Sequence, residues 1–222
     1  MSSDSGKGKA EFKTVDITNE ECEKLVELMD GFIEAFQRID RKGKFHVPRG
    51  LYGEYAVYLV CLDLFKMGLN PKLMGGGIAD IWLPSLRKKV EVKRSGYQSR
   101  RRNEPKERHW VWGNIHPEKI DYLVLIGAGK DNKQPSNYFI FTKQEAEEFI
   151  PLVDWGYNMP DHAKYTGRCL EIYDKGPRRS FREIKWKVLK KKKHIETEFI
   201  PKEERIHENL QGFQNRWDKI TG

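Results

Sequence analysis

The chain has 222 residues, 38% of them hydrophobic and 33% charged, with a formal net charge of +8 and a pI of about 9.2. That length can bury the core of one globular domain, and the positive balance favours a polyanionic partner such as nucleic acid over an anionic membrane surface. No apolar run approaches the roughly 20 residues that cross a bilayer, and MSSDSGKGKAEF lacks a signal-peptide core, so a soluble, intracellular protein without a membrane partner is expected. Cys22, Cys61 and Cys169 are odd in number and far apart, with no Cys-x-x-Cys pair, and read as reduced structural residues.

Residues 1–11 read as a flexible tail of Ser, Gly and Lys. Thr18 is positioned to cap a first helix in which Leu25, Leu28, Met29, Phe32, Ile33 and Phe36 share a stripe, suited to covering a core or joining two copies. Pro48 and Gly50 open a second helix that Gly68 and Asn70-Pro71 close. Leu51, Tyr55, Tyr58, Leu59, Leu62 and Phe65 recur along it at helical spacing, so its burial is expected. Glu54 is the only acid in its first three turns and falls on or near the packed side, where a carboxylate needs a cation, a metal or donors. The alternative is an exposed Glu that favours the positive helix N-terminus.

Residues 77–83 and 88–94 are apolar or alternating runs separated by Pro84-Ser85, which predicts a β-hairpin. Alternation puts Glu91 and Lys93 on one strand face. A register that sets Asp80 beside Glu91 gathers two carboxylates and an ammonium. Those groups can hold Mg²⁺ against a phosphate and place a cation near the attacking water, although alternating charges also decorate many solvated strand faces.

The order of these parts resembles the PD-(D/E)XK nuclease superfamily, which includes type II restriction endonucleases and archaeal Holliday junction resolvases. The resemblance rests on a helix carrying Gly53-Glu54, the Gly-rich approach at 75–77, IAD at 78–80 and VEVK at 90–93. Ala79 stands where the motif's Pro would be, a position that is degenerate in the superfamily. The resemblance covers residues 48–94, with an extension to about residue 150, and implies an α/β, restriction endonuclease-like core with a mixed central sheet flanked by helices; residues 12–150 are taken as that core and 151–222 as a C-terminal extension packed on it. It implies a metal-dependent DNA endonuclease that leaves a 5′-phosphate and a 3′-hydroxyl. Asp80, Glu91, the Val92 carbonyl and Glu54 would bind Mg²⁺, replaceable by Mn²⁺, and Glu54, Asp80, Glu91 and Lys93 would form the catalytic set. A resolvase-like, structure-selective enzyme is the leading expectation. A sequence-specific restriction-like enzyme and a non-catalytic DNA-binding protein on the same fold are the alternatives. Two strands related by a two-fold axis call for a homodimer, and the expected location is cytoplasmic or nucleoid-associated.

The span from Ser95 to Glu118 reads as polar and turn-rich. Arg94 just before it and Arg100, Arg101, Arg102, Lys106 and Arg108 within it are candidate phosphate contacts, and Tyr97, Trp110 and Trp112 are candidate base-stacking groups. Glu104 and Glu107 offer these arginines ordinary surface partners. Strands follow at 120–128 and 137–141, then a helix with a Thr142/Glu145 capping box, and CLEIY at 169–173 is a further strand candidate. REIKWKVLKKKKHIE, which contains Lys187 and Lys190 to Lys193, suits a strand or a basic helix. Ile206, Leu210, Phe213 and Trp217 suggest a closing helix that covers the core or a second copy. Gly75-Gly76-Gly77 lacks a following Gly-Lys-Ser/Thr and reads as a turn rather than a nucleotide site, so no nucleotide cofactor is expected. His109, His116 and Ser95 are read as surface or supporting groups, without zinc-like spacing or a nucleophile's triad.

Overall fold

The computed structural model describes residues 13–39, 48–75, 77, 79–96, 98–99, 108–129, 135–153, 168–173 and 212–222. The tail, Arg100 to Arg102, Lys106 and Lys187 to Lys193 lie outside the described residues, as do Ile206 and Leu210.

A six-stranded mixed sheet runs β1 (Thr14–Asp16), β2 (Lys72–Met74), β3 (Ile81–Leu83), β4 (Lys88–Ser95), β7 (Tyr122–Ala128), β8 (Pro135–Thr142) in spatial order. Only β4 and β7 pair in parallel; the other neighbours are antiparallel. A parallel pair needs a crossover, and here it carries β5 (Gln98–Ser99) and β6 (Arg108–Ile115). Those two strands build a second sheet with β9 (Arg168–Tyr173) in the order β5-β6-β9.

Alternation along the central strands divides the core into two layers. Val90, Val92, Val124, Ile126 and Ile140 pack towards α1 (Asn19–Ile39) and α2 (Arg49–Lys66), whereas Leu123, Leu125, Phe139 and Phe141 pack towards β6 and α3 (Lys143–Val153). The central sheet is therefore mixed α/β, as expected, but among the described residues helices by themselves cover one face. On the other face a small sheet shares the cover with α3.

Both expected helix starts are built as read. Thr18 Oγ1 accepts from Glu21 N at 3.2 Å while Glu21 Oε2 accepts from Thr18 N at 2.8 Å, and Thr142 with Glu145 repeats this reciprocal box at 3.3 and 2.8 Å. In α2 the deeply buried residues are Tyr55, Ala56, Val57, Val60, Cys61 and Leu64, while Leu51, Tyr58, Leu59, Leu62 and Phe65 are half-buried. The face nearest the sheet is thus rotated from the expected stripe, because α2 packs against both the sheet and α1 and is apolar on most of its circumference. Cys22 of α1 and Cys61 of α2 are free, buried thiols that share a hydrogen bond.

Two further expectations are corrected. The span after β4 is not turn-rich throughout: β6 occupies Arg108–Ile115 and contributes Trp110 and Trp112 to the core. Their indole N–H groups donate to the Ala128 carbonyl at 2.9 Å and the Ile126 carbonyl at 3.0 Å, which ties the small sheet to β7. Buried and bonded in this way, they do not stack on bases. Trp110 lies so close to Gly127 that a Cβ there would sit 2.7 Å from the indole ring.

The closing stripe is not helical at Phe213. Ile140 N donates to the Phe213 carbonyl at 2.8 Å and Asn215 N to the Tyr138 carbonyl at 2.9 Å, so this segment pairs with the outer edge of β8 before a last helical turn at Asp218–Thr221. Phe213 stacks on Phe141 at 4.2 Å and Trp217 lies 5.3 Å from Tyr138. Both aromatics fill this chain's own core and cover a sheet edge that would otherwise present unpaired backbone groups.

Candidate active site

The hairpin forms as the alternation and the Pro84-Ser85 turn require. Residues 84–87 turn, with Arg87 N donating to the Pro84 carbonyl at 3.3 Å and Arg87 at φ 55°, and Ile81 pairs with Val90. Asp80 stands immediately before β3 and grips the neighbouring strand twice. Its N–H donates to the Val90 carbonyl at 3.1 Å, and its Oδ2 accepts from Val92 N at 2.7 Å. These bonds flank Glu91 on both sides, which fixes the two acids next to each other.

Glu91 and Lys93 point to the same face of β4 and form an ion pair, with their side chains 13% and 26% exposed. The pairing has two electrostatic consequences. Burial raises the Asp80 carboxyl above its ordinary value; the Val92 N–H and the Lys93 ammonium oppose that rise, and the Glu54 charge adds to it. Burial also raises Glu91, reinforced by the Asp80 charge and opposed by Lys93. One ammonium therefore serves two crowded acids.

Glu54 sits in the first turns of α2 with its side chain exposed, not on the packed side. It is nonetheless within electrostatic reach of Asp80, since its charge bears on both Asp80 and Tyr58. Arg94 falls on the opposite face of β4 from Lys93. Its guanidinium lies 4.3 Å from the centre of the Tyr52 ring on α2, and burial lowers its pKa. Strand alternation, which placed Lys93 well, turns the next residue away from it. Ser95, buried on the same face as Glu91 and Lys93, donates through Oγ to the Gly96 carbonyl at 3.1 Å and supports the strand end. Arg108 begins β6. His116 stands between Asn114 Oδ1 at 3.1 Å and Glu118 Oε1 at 3.2 Å, a local surface arrangement.

Among the described residues, no three His, Cys, Asp or Glu side chains gather as a metal cluster. Two carboxylates with a backbone carbonyl between the acid and the lysine suit Mg²⁺, which keeps several waters and takes oxygen from few protein groups; they do not suit a closed structural zinc site. Sequence reasoning missed the surroundings of these acids. Trp82 is the outward member of the apolar triplet Ile81–Leu83 and lies on the same sheet face as Glu91, between Lys72 and Lys89. Its signal was the strand alternation itself, concealed because all three residues of the triplet are apolar.

The chain matches no protein-family model and no curated protein. Among solved structures, a bacterial homing endonuclease, I-Ssp6803I, aligns with a TM-score of 0.40 and 13% identity, over 78% of this chain and 93% of that one. No helix among the described residues is long and apolar enough to cross a membrane.

Proposed function

We propose that this chain is a metal-dependent DNA endonuclease of the PD-(D/E)XK kind, with Asp80, Glu91 and Lys93 at its centre and Glu54 at its margin. The observation that carries the reading is the Asp80 Oδ2 to Val92 N bond, which locks an aspartate onto the Glu-x-Lys strand and holds two carboxylates together despite their mutual repulsion. A divalent cation relieves that repulsion. Asp80, Glu91 and the Val92 carbonyl would hold Mg²⁺, which would supply Lewis-acid chemistry to the scissile phosphate and to water.

The chain's own residues supply the rest. Asp80 is oriented by the Val92 N–H, so one of its oxygens has a fixed direction before substrate arrives. Lys93, ion-paired with Glu91 on the same strand face, would present its ammonium to the attacking water or to the charge gathering on phosphorus. Exposed on α2, Glu54 would complete the site directly or through a water. Arg100, Arg101, Arg102 and Lys106, with Arg108 at the start of β6, follow Lys93 in the chain and supply cations for the phosphate backbone. Arg94 contributes by anchoring β4 to α2.

A junction-selective enzyme, rather than a sequence-specific one, is the finer proposal, and it requires a homodimer. The outer face of α1 is suited to the second copy: Leu28 is 70% exposed, Phe32 50% and Ile39 64%, and Phe32 lies 4.7 Å from Phe36. Light scattering of the free and DNA-bound protein at micromolar concentration tests this; a strict monomer in both states would redirect the reading to nicking or single-strand cleavage.

The decisive experiment incubates the protein with Mg²⁺ and labelled linear duplex, single strand, flap and four-way junction, and maps the cut positions. Cleavage is expected with Mg²⁺ or Mn²⁺, not with EDTA, and Ca²⁺ should support binding better than turnover. If Glu91→Gln cuts as fast as the parent chain, the assignment fails.

A further inference from the structure

Cross-strand registration produces a row that the cleavage chemistry does not use. Lys72 pairs with Trp82 and Trp82 with Lys89, so the three side chains lie side by side across β2, β3 and β4. The neighbours of Trp82 on β3, Ile81 and Leu83, point into the layer beneath α2; the row is therefore on the opposite face, the one that carries Glu91 and Lys93. Trp82 is two residues from Asp80, and Lys89 is two residues from Glu91. All three members of the row are partly exposed. Adjacent strands stand about 4.8 Å apart, which sets the two lysine stems roughly 10 Å from each other with the indole between them. Lys72 also meets Asp16 Oδ1 at 2.7 Å, but Asp16 is an exposed carboxylate whose place a phosphate can take.

We infer that Lys72, Trp82 and Lys89 form a landing row for an unpaired nucleotide beside the bond to be cut. An aromatic ring set between cations is how sequence-tolerant proteins hold a single strand: the ring takes a base face and the ammonium groups take the flanking phosphates. A regular duplex keeps its base faces stacked inside and offers a flat sheet only phosphate and sugar, which lysines alone would serve. The indole therefore assigns the substrate class as DNA with a base out of its stack next to the cleaved phosphate, such as a flap, a junction arm or a single strand. This rests on Asp80, Glu91 and Lys93 being the cutting site. It adds which strand geometry that site accepts.

The test is binding in EDTA, by anisotropy of a labelled single strand and of a blunt duplex of equal length, for the parent chain, Trp82→Phe, Trp82→Ala and Lys72→Gln/Lys89→Gln. Trp82→Ala should weaken single-strand binding about tenfold with a much smaller effect on duplex, while Trp82→Phe keeps most of the affinity. The lysine pair should lower the single-strand salt slope by about 1.4, at roughly 0.7 per phosphate contact. Thermal melting identifies any variant that fails to fold, and Trp82→Phe then carries the comparison, since even that change should reduce single-strand affinity more than duplex affinity. Equal losses on both ligands, or none on either, overturn the row. Cleavage by a parent chain whose row variants bind unchanged would remove this inference alone. Preferential single-strand binding without cleavage under any divalent cation would remove the nuclease reading and leave the row in place.

Discussion

The β3–β4 hairpin and the segment that follows it, residues 95–118, are both rich in charge, yet the hairpin is built as its sequence pattern reads and the described part of the later segment is not. In the hairpin the pairing partner is a turn away, so alternation and the Pro84-Ser85 turn suffice to set Asp80 beside Glu91. In the later segment β6 pairs with β9, whose residues lie some sixty positions further on, as with Trp110 and Ile172. Nothing local announces that partner. The basic residues before Trp110 and Trp112 read as a nucleic-acid loop because the strand with which β6 pairs is far away in sequence.

The sharpest way to break this comparison is to disable each region and ask which property disappears. Asp80→Asn, Glu91→Gln and Lys93→Ala should each lower cleavage at least about a hundredfold while leaving DNA binding and the fold in place, since each alters the charge of the site and not the core. Glu54→Gln should have an equal or smaller effect. A variant that loses binding along with cleavage would place these residues in the substrate's footing instead of its chemistry.

Trp112→Ala should do the opposite. Removing a fully buried indole whose N–H is bonded to the Ile126 carbonyl costs about 3–5 kcal/mol, and each kcal/mol is about 2–4 °C in Tm for a chain of this length. Denaturant or thermal unfolding measures it. If Trp112→Ala instead keeps its Tm and loses affinity for single-stranded DNA, the tryptophan is a stacking group and β6 is not part of the core. Gly127→Ala is a gentler version of the same test. The added methyl meets the Trp110 ring at 2.7 Å, and a loss of about 1–3 kcal/mol is expected, recovered in part by a smaller side chain at position 110.

What the sequence made legible follows from the range of each interaction. The Thr18/Glu21 and Thr142/Glu145 caps, the turn after Leu83 and the two-residue step from Glu91 to Lys93 are settled within a few residues, and all are found in the structure. Arg94 shows the limit of that range: it is next in sequence to Lys93 and to the basic residues beyond, but the pleat sends it to the α2 side, where Tyr52 receives it. Phe213 and Trp217 have helical spacing, yet the edge of β8 offers Phe213 backbone partners that a helix would forgo. Trp82 is not legible as a surface group, because a short strand with three apolar residues reveals neither face until its neighbours are known.

The smallest expected effect is one of sign, and it bears on the hairpin alone. Asp80 and Glu91 both have native pKa values raised by burial, so between their ordinary values, 3.8 and 4.5, and the raised native ones the folded chain binds more protons than the unfolded chain. Stability then falls as pH rises through that window, and the unfavourable contribution is complete above the raised values. Asp80→Asn keeps an oxygen for the Val92 N–H but removes one charge and the repulsion it imposes on Glu91. In EDTA the variant should therefore melt at or above the parent temperature near pH 7 and show a flatter loss of Tm from pH 4 upward. Added Mg²⁺ should raise the parent's Tm at pH 7 more than at pH 4.5 and leave the variant nearly unmoved. A parent chain that gains stability across the same window would mean that Lys93 more than offsets the burial of the two acids, and that the hairpin needs no cation to hold them together.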